Sequence, residues 1–318
     1  MTASSSAASS LADASQETPA TSLDDMPLEA RLARIEARVR AQPTTATHRW
    51  ALFQVLCAMG QWARAIQQLQ VYAQLSPDEA QAAQAYRDLI RAERWRAKVV
   101  AGRERPGFVF EPPLWVEGLI EALRLSANGQ VDDADRARER ALDQAPLVNA
   151  RTSRFLFDWV ADSDSRLGPV CEIVTAGHYR WLPFSDIAAW QIAVPTKLID
   201  LVWAPCALTL VDGTAVRGFM PARYPGSEGA GSEAGGCGEA GAGDGEPDDG
   251  CDALRLGRRT RWQEVGRTGV IALGQKTWTT SAGEFGLFEL DACELGSGAR
   301  QTAPQRAPVR QDGGNGSA

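Results

Sequence analysis

Residues 60–77 read GQWARAIQQLQVYAQLSP, and residues 129–146 read GQVDDADRARERALDQAP. The two stretches place a glycine, a small alanine and a closing proline at identical offsets: Gly60 and Gly129, Ala65 and Ala134, Pro77 and Pro146. Glycine permits the turn between two helices, a small alanine lets neighbouring helices approach closely, and proline ends the second helix. Each stretch is therefore predicted to be the turn and second helix of a tetratricopeptide-like pair.

Four prolines extend this pattern at spacings of 34, 35 and 34 residues: Pro43, Pro77, Pro112 and Pro146. Helix-pair units of this period bury their apolar faces only by stacking, and their stacks present concave surfaces that bind other polypeptides. We therefore expect an all-α repeat domain of tetratricopeptide type over residues 28–150. Its predicted elements are a helix at 28–42, a pair at 47–75, one long helix at 78–101 and a second pair at 114–145.

The second half of the chain has a different character. From Phe155 onward it contains short apolar runs typical of strands: IAAWQIAV at 187–194, ALTLV at 207–211 and GVIALG at 269–274. The stretch SRLGPVCEIVTAG at 165–177 is interpreted as a short helix, with Ser165 as its cap and Gly177 just past its end. Residues 151–295 are therefore predicted to form an α+β domain rich in antiparallel strands, which makes the chain multidomain.

The net charge of −7 is concentrated in two stretches without Lys or Arg. Residues 1–27 carry four acidic residues, and residues 228–252 carry eight acidic residues and nine glycines. We expect 1–27 to be a disordered tail, 228–252 a flexible insertion, and the polar stretch 296–318 a second disordered tail. The remainder is close to neutral, so no large basic surface is implied and general nucleic-acid binding is excluded.

Other functional classes are excluded by what the sequence lacks. No stretch approaches the ~20 apolar residues of a transmembrane helix, and the N-terminus lacks the basic and apolar regions of a secretory signal. The six cysteines are scattered without a C-x-x-C spacing, so neither a zinc site nor a redox site is predicted. These observations predict a cytoplasmic protein with reduced thiols and without a metal or other cofactor.

Three carboxylates stand close together in the second half: Asp158, Asp162 and Asp164. One interpretation is a metal or acid–base site with His178 as a further participant. The calcium-loop pattern fails because Arg166 occupies a ligand position, and such carboxylates more often cap a helix or pair with a neighbouring arginine. Cys171 and His178 would lie near each other on the predicted helix as a thiol–imidazole pair. The alternative is a buried thiol and an exposed ring.

The long helix predicted at 78–101 carries a cationic stripe at the spacing i, i+4, i+7, i+11: Arg87, Arg91, Arg94 and Lys98. Apolar residues are expected on the opposite side: Ala82, Ala85, Leu89, Ala92 and Val99. One interpretation of this stripe is a solvated helix face. The other is a candidate partner-binding surface for an acidic or amphipathic helix.

Several long stretches, taken together, resemble one protein family: FQVLCAMGQWARAIQQL (53–69), AQAYRDLIRAE (83–93), DWVADSDSRLGPVCEIVTAGHYRWLPF (158–184), DLVWAP (200–205), RYPGSE (223–228) and DALRLGRRTRW (252–262). In this order they are similar to the ImpE/SciE family, also called TagJ, whose members are accessory proteins of bacterial type VI secretion. The chain departs from the family pattern in the acidic insertion after RYPGSE and in its shortened first helix pair.

The resemblance implies a cytoplasmic, non-enzymatic adaptor of the contractile secretion sheath. It implies two partners: an N-terminal helix of the small sheath subunit, and the AAA+ ATPase that disassembles contracted sheath. A homodimer is a further expectation. No catalytic residue is implied by the family, and the alternative function is a hydrolase or metal-dependent activity that uses the three carboxylates of the second half.

Overall fold

A computed structural model of the chain describes residues 26–230 and 249–296. The two predicted tails and the central part of the acidic insertion therefore fall outside the described residues, except at their edges. Six α-helices lead the described chain: α1 (Leu28–Ala41), α2 (Ala46–Ala58), α3 (Trp62–Leu75), α4 (Ala80–Val100), α5 (Leu114–Ala127) and α6 (Val131–Gln144). These bounds confirm the single helix, the two pairs and the long helix expected from the sequence. No helix among these residues is long and apolar enough to cross a bilayer.

The two helix pairs turn where the sequence pattern places glycine. Gly60 ends α2 and Gly129 ends α5, with φ angles of 68° and 76°, and glycine adopts this left-handed conformation without a Cβ penalty. The small residues lie at helix contacts, since Ala65 and Ala134 are buried. A Cβ atom added to Gly118 would come within 3.0 Å of the Cβ of Ala141. The α5–α6 pair therefore depends on small side chains for its close approach.

The described part of the second half contains short antiparallel strands and one α-helix. Its strands are β1 (Ala150–Arg151), β2 (Leu156–Phe157), β3 (Val160–Asp162), β4 (Val170–Thr175), β5 (His178–Pro183), β6 (Ile187–Ile192), β7 (Trp203–Leu210), β8 (Ala215–Pro221), β9 (Thr260–Val265), β10 (Gly269–Gly274), β11 (Thr277–Thr280), β12 (Gly283–Gly286) and β13 (Ala292–Leu295). Eight strands form one sheet in the order β2-β1-β13-β6-β7-β8-β4-β5. A three-stranded sheet has the order β12-β11-β3, and β9 pairs with β10. The helix is α7 (Asp249–Arg255), which packs against the turn at Ser227–Gly229.

The helix predicted at 165–177 is wrong. Residues 163–169 form turns, and residues 170–175 are β4, which pairs with β5 and β8 inside the large sheet. Val170, Ile173 and Val174 are β-branched and fully buried, which favours a strand enclosed on both faces. Ala176 and Gly177 both have positive φ and form a two-residue hairpin turn into β5. Gly177 is therefore a turn residue and not the end of a helix.

The strand-rich part has its own core between the large sheet and the three-stranded sheet. Aromatic rings are central in it: the Trp190 and Trp278 rings stack with their centroids 5.5 Å apart. Phe184 meets the Trp278 ring edge-on at 5.7 Å. Offset and edge-on contacts of this kind add to the burial of apolar area.

A second core is shared by the helices and the large sheet. The Trp62 ring of α3 lies 5.8 Å from the Trp203 ring of β7. Beyond the end of α4, the backbone of Gly107 continues the sheet: its N–H donates to the Tyr179 carbonyl at 3.2 Å, and it accepts from the Trp181 N–H at 2.9 Å. The helical and strand-rich parts are thus joined by apolar packing and by backbone hydrogen bonds.

Candidate partner-binding surface

The long helix α4 carries the predicted cationic stripe. Proline at the first position of the preceding turn, Pro77–Glu79, fits a helix start, because its N–H would have no intrahelical partner. At the other end Gly102 has a φ of 66°, and a Cβ atom there would lie 2.5 Å from the Leu123 carbonyl. The helix must therefore end at this glycine, where α5 passes.

The stripe side chains lie on the outer side of α4. Arg91, Arg94 and Lys98 are exposed and Arg87 is half-buried. Arg91 pairs with Asp88 at 3.1 Å. Among the described residues, the other three stripe side chains form no ion pair. Their role in binding stays a prediction.

The apolar side predicted for α4 is only partly correct. Leu89, Ala92 and Val99 are buried as expected, whereas Ala82 is half-buried and Ala85 is exposed. The side-chain hydrogen bonds that join α4 to the strand-rich part come from its second half, from Arg91, Glu93 and Arg96. The first half of α4 is therefore less enclosed than its amphipathic pattern suggests.

Trp95 is a feature of this surface that the stripe analysis missed. It lies four residues after Arg91 and three before Lys98, and 39% of its surface is exposed. Its Nε1 donates to the Arg105 carbonyl at 3.0 Å, and the Lys98 ammonium lies 5.5 Å from the ring centroid. The ring is thus held in place at the edge of the stripe and stays partly exposed. Its spacing from Arg91 and Lys98 places Trp95 on the same side of the helix, and this spacing was visible in the sequence.

Trp95 lines two clefts. The first, which we call the Trp95 cleft, has a volume of about 410 Å³ and lies between α4, residues 105–107 and the start of β5. Its walls are Arg91, Ala92, Trp95, residues 105–107 and residues 177–180. The second cleft, of about 660 Å³, lies between the end of α4 and α5 and is lined by three acidic and three basic side chains: Glu104, Glu117, Glu121, Arg103, Arg105 and Arg124.

Charges around the Trp95 cleft are predominantly positive. Arg105 pairs with Glu117 at 2.5 Å, but Arg180 donates to the Phe108 carbonyl and has no carboxylate partner among the described residues. His178 is exposed at the rim. This part of the surface can therefore accept an anionic group beside an apolar one.

The inner side of α4 carries two buried charges that the sequence analysis did not single out. Arg96 donates to both carboxylate oxygens of Glu172 on β4, at 2.7 and 2.8 Å. It also pairs with Glu93 at 3.0 Å, whose other oxygen accepts from the Trp203 indole at 3.1 Å. A bidentate pair of this kind is strong and geometrically specific. It fixes α4 against β4 and β7.

Glu172 also pairs with Lys276, which in turn pairs with Asp162; the distances are 2.8 and 2.5 Å. Burial opposes the charge of Glu172, but Arg96 and Lys276 hold its pKa well below the usual range. Burial raises the pKa of Asp162 to about 6, because lost hydration outweighs the attraction of the Lys276 ammonium. Asp162 also accepts from the Tyr224 hydroxyl at 2.9 Å. We call Glu93, Arg96, Asp162, Glu172 and Lys276 the buried ionic network.

Arg223 adds a further contact between the two halves. Its guanidinium donates to the carbonyls of Ala58 at 2.6 Å and Cys57 at 2.9 Å. These are carbonyls of the last turn of α2, which have no partner within the helix. A cation at this end of a helix is also favoured by the helix dipole. Arg223 therefore caps α2 from within the strand-rich part.

The three carboxylates of the alternative enzyme hypothesis do not converge on a cleft. Asp158 is exposed, Asp162 belongs to the buried ionic network, and Asp164 is buried in an ion pair with Arg166. The pairing with Arg166 was predicted; the helix that these residues were expected to cap is absent. Asp164 instead accepts from the Ala272 N–H at 3.0 Å. Among the described residues no cluster of His, Cys, Asp and Glu has the geometry of a metal site.

The proposed thiol–imidazole pair does not form either. Cys171 lies opposite Leu182 in the β4–β5 ladder, whereas His178 lies opposite Thr175 at the turn. Burial raises the pKa of the Cys171 thiol well above its usual value. A neutral buried thiol is a poor nucleophile, so the alternative of a buried thiol and an exposed ring is correct.

The family described as ImpE protein matches residues 155–294. The type VI secretion system accessory component TagJ of Pseudomonas aeruginosa is 39% identical over 263 residues, which cover 83% of this chain and 85% of that protein. The crystal structure of protein VPA1032 from Vibrio parahaemolyticus has the same fold, with a TM-score of 0.71 and 22% identity over 84% of this chain and 93% of that one. The chain therefore belongs to the ImpE family, as the motifs of its sequence suggested.

Proposed function

We propose that this protein is a non-enzymatic accessory component of a type VI secretion apparatus and acts in the cytoplasm as an adaptor. The observation that carries the proposal is the 39% identity to TagJ, whose name describes it as such a component. The identity extends over both the helical and the strand-rich parts, so it concerns the protein as a whole. The lack of convergence among Asp158, Asp162 and Asp164 favours an adaptor over a hydrolase.

We further propose that the helical half is a tetratricopeptide-like stack that binds an N-terminal helix of the small sheath subunit. Two helix pairs with the same offsets, turning at Gly60 and Gly129, support the repeat assignment. The stripe on α4 supports the choice of surface, because exposed cations attract an acidic helix and raise its association rate. Association with the AAA+ ATPase that disassembles sheath is a proposal that rests on the family resemblance, and a homodimer is a separate proposal.

The test replaces three stripe residues, Arg87, Arg91 and Arg94, with Glu. Association with a synthetic peptide of the small sheath subunit's N-terminal region is followed by stopped-flow fluorescence anisotropy at two salt concentrations. We expect slower association and a reversed salt dependence, because rim charges act mainly on the encounter rate. The melting temperature should stay within a few degrees, since Arg91 and Arg94 are exposed and the half-buried Arg87 forms no ion pair among the described residues.

The matched control replaces three exposed arginines away from α4 with Glu: Arg34, Arg140 and Arg154. Both triple variants change the net charge equally, so only a local effect of the stripe separates them. Equal association rates for both variants would show that the stripe is not part of the binding surface. Absence of binding by the unaltered protein would contradict the sheath subunit as partner, and affinity purification from the native cell would then identify the partner in its place.

A further inference from the structure

The stripe accounts for attraction but offers no apolar contact to hold a bound helix. Of the clefts beside it, the Trp95 cleft shares Arg91 with the stripe and is mostly apolar on its inner surface. Tryptophan is among the residues most enriched at the energetic hot spots of protein interfaces. Trp95 thus supplies the apolar contact that the stripe lacks.

We infer that the Trp95 cleft receives apolar side chains from an acidic amphipathic helix that lies along the stripe. This inference rests on the proposed function, since the occupant is the same partner helix. A helix with its side chains is about 10–12 Å across, so a cleft of about 410 Å³ admits side chains from a helix and not the helix itself.

Charge complementarity selects an acidic occupant. Arg94 and Lys98 on α4, and Arg180 on the β5 wall of the Trp95 cleft, have no carboxylate partner among the described residues. An apolar side chain on the Trp95 ring would therefore have cations of both elements nearby. Carboxylates placed one helical turn before and after that side chain would reach them, because residues three or four apart lie on one face of a helix.

The cleft is formed before the partner binds. The Trp95 indole is held by the Arg105 carbonyl, and Gly107 is held by two backbone hydrogen bonds to β5. Gly177 lies so close to α4 that a Cβ atom on it would approach Arg91 and Asp88 to 3.2–3.3 Å. The three walls of the cleft are thus positioned by α4 and the β4–β5 hairpin, which lowers the entropic cost of ordering on binding.

The experiment measures the affinity and dissociation rate of the labelled sheath-subunit peptide with Trp95→Ala. We expect a loss of affinity of at least about tenfold, mainly through faster dissociation and with little dependence on salt. The stripe variant should instead change the association rate. Trp262→Ala is the matched control, because Trp262 lies on β9 and is exposed to a similar extent, 37% against 39%.

Two further measurements keep the result interpretable if Trp95→Ala is unstable. Trp95→Phe keeps a ring on the cleft but loses the bond to Arg105, and it should retain most of the affinity. A peptide whose apolar side chains are replaced by Ser should bind the unaltered protein and the Ala variant equally weakly. Affinity unchanged by Trp95→Ala, with the unaltered protein binding normally, overturns this inference alone. No binding by the unaltered protein contradicts the proposed function itself.

Discussion

At the residue scale, Arg94 and Arg96 have the same side chain on the same helix and opposite environments. Arg94 is exposed on the stripe, whereas Arg96 is 1% exposed within the buried ionic network. A buried pair adds little net stability over an apolar one, but loss of one partner leaves the other charge unpaired away from water. The two arginines therefore provide a matched pair of substitutions.

We expect Arg96→Met to cost about 3–5 kcal/mol of the free energy of unfolding, since Glu172 and Glu93 would lose a shared cation. Arg94→Met should change it by no more than about 0.5 kcal/mol. Urea denaturation followed by circular dichroism measures both. A similar, small effect of the two substitutions would mean that water or a neighbouring cation replaces Arg96.

The stripe could be predicted from the sequence at this scale, but the buried charges could not. Periodicity places Arg87, Arg91, Arg94 and Lys98 on one side of a helix whatever the helix packs against. The environment of Arg96 depends on Glu172, which lies 76 residues away in sequence. Local patterns carry no information about such a partner, and a buried arginine is rare enough that solvent exposure is the default expectation.

At the element scale, α1 to α6 could be predicted to within one or two residues, whereas α7 was not predicted and β4 was mistaken for a helix. Helix ends are marked by local residues such as Gly60, Gly102 and Gly129. A fully buried strand such as β4 reads as a short apolar run, which periodicity cannot distinguish from a buried helix segment. Its β-branched residues and the turn at Ala176 and Gly177 were the signals that favoured a strand.

The contact between α6 and the β9–β10 hairpin depends on one carboxylate. Asp135 is buried and accepts from the backbone N–H of Arg267 at 2.7 Å and the Thr268 hydroxyl at 2.8 Å. It also pairs with Arg138 at 2.8 Å. The bond from the Arg267 N–H is the largest cause that lowers the pKa of Asp135 to about 2. Asp135 therefore holds the hairpin turn more strongly when it is ionised.

Asp135→Asn is expected to lower the free energy of unfolding by about 1–3 kcal/mol at pH 7. The donors that now bond to two carboxylate oxygens would then have one amide oxygen, beside an NH₂ group that cannot accept. The pKa is depressed in the folded state, so the stabilisation is complete above about pH 4 and is lost as pH falls towards about 2. The stability difference between the two proteins should therefore shrink over that range. Asp132→Asn, on the exposed side of α6, is the control. A difference that stays constant from pH 7 to pH 3 would contradict this role.

At the scale of the whole molecule, the helical and strand-rich parts share a core and a charge network. Trp62 packs on Trp203, Tyr86 lies 6.3 Å from Phe219, and Arg223 caps α2. The division into domains at residue 150 stays a prediction from the sequence pattern. Repeat spacing identifies which helices pair. It does not identify which other part of the protein covers the apolar surface that a stack of two complete pairs leaves open.

These contacts lead to a prediction for the fragment 28–150. Without the strand-rich part it would expose Trp62 and Tyr86 and would leave Arg96 without Glu172. We expect the fragment to melt over a broad temperature range and to bind the dye ANS, because apolar surface stays uncovered and tertiary packing is incomplete.

The reference is the chain from 26 to 296, which retains both parts and should unfold in one sharp transition. Differential scanning calorimetry of the two proteins compares them directly. A sharp transition of the fragment near the melting temperature of the reference would contradict this prediction. It would show that the helical half folds independently and does not need the shared core for its stability.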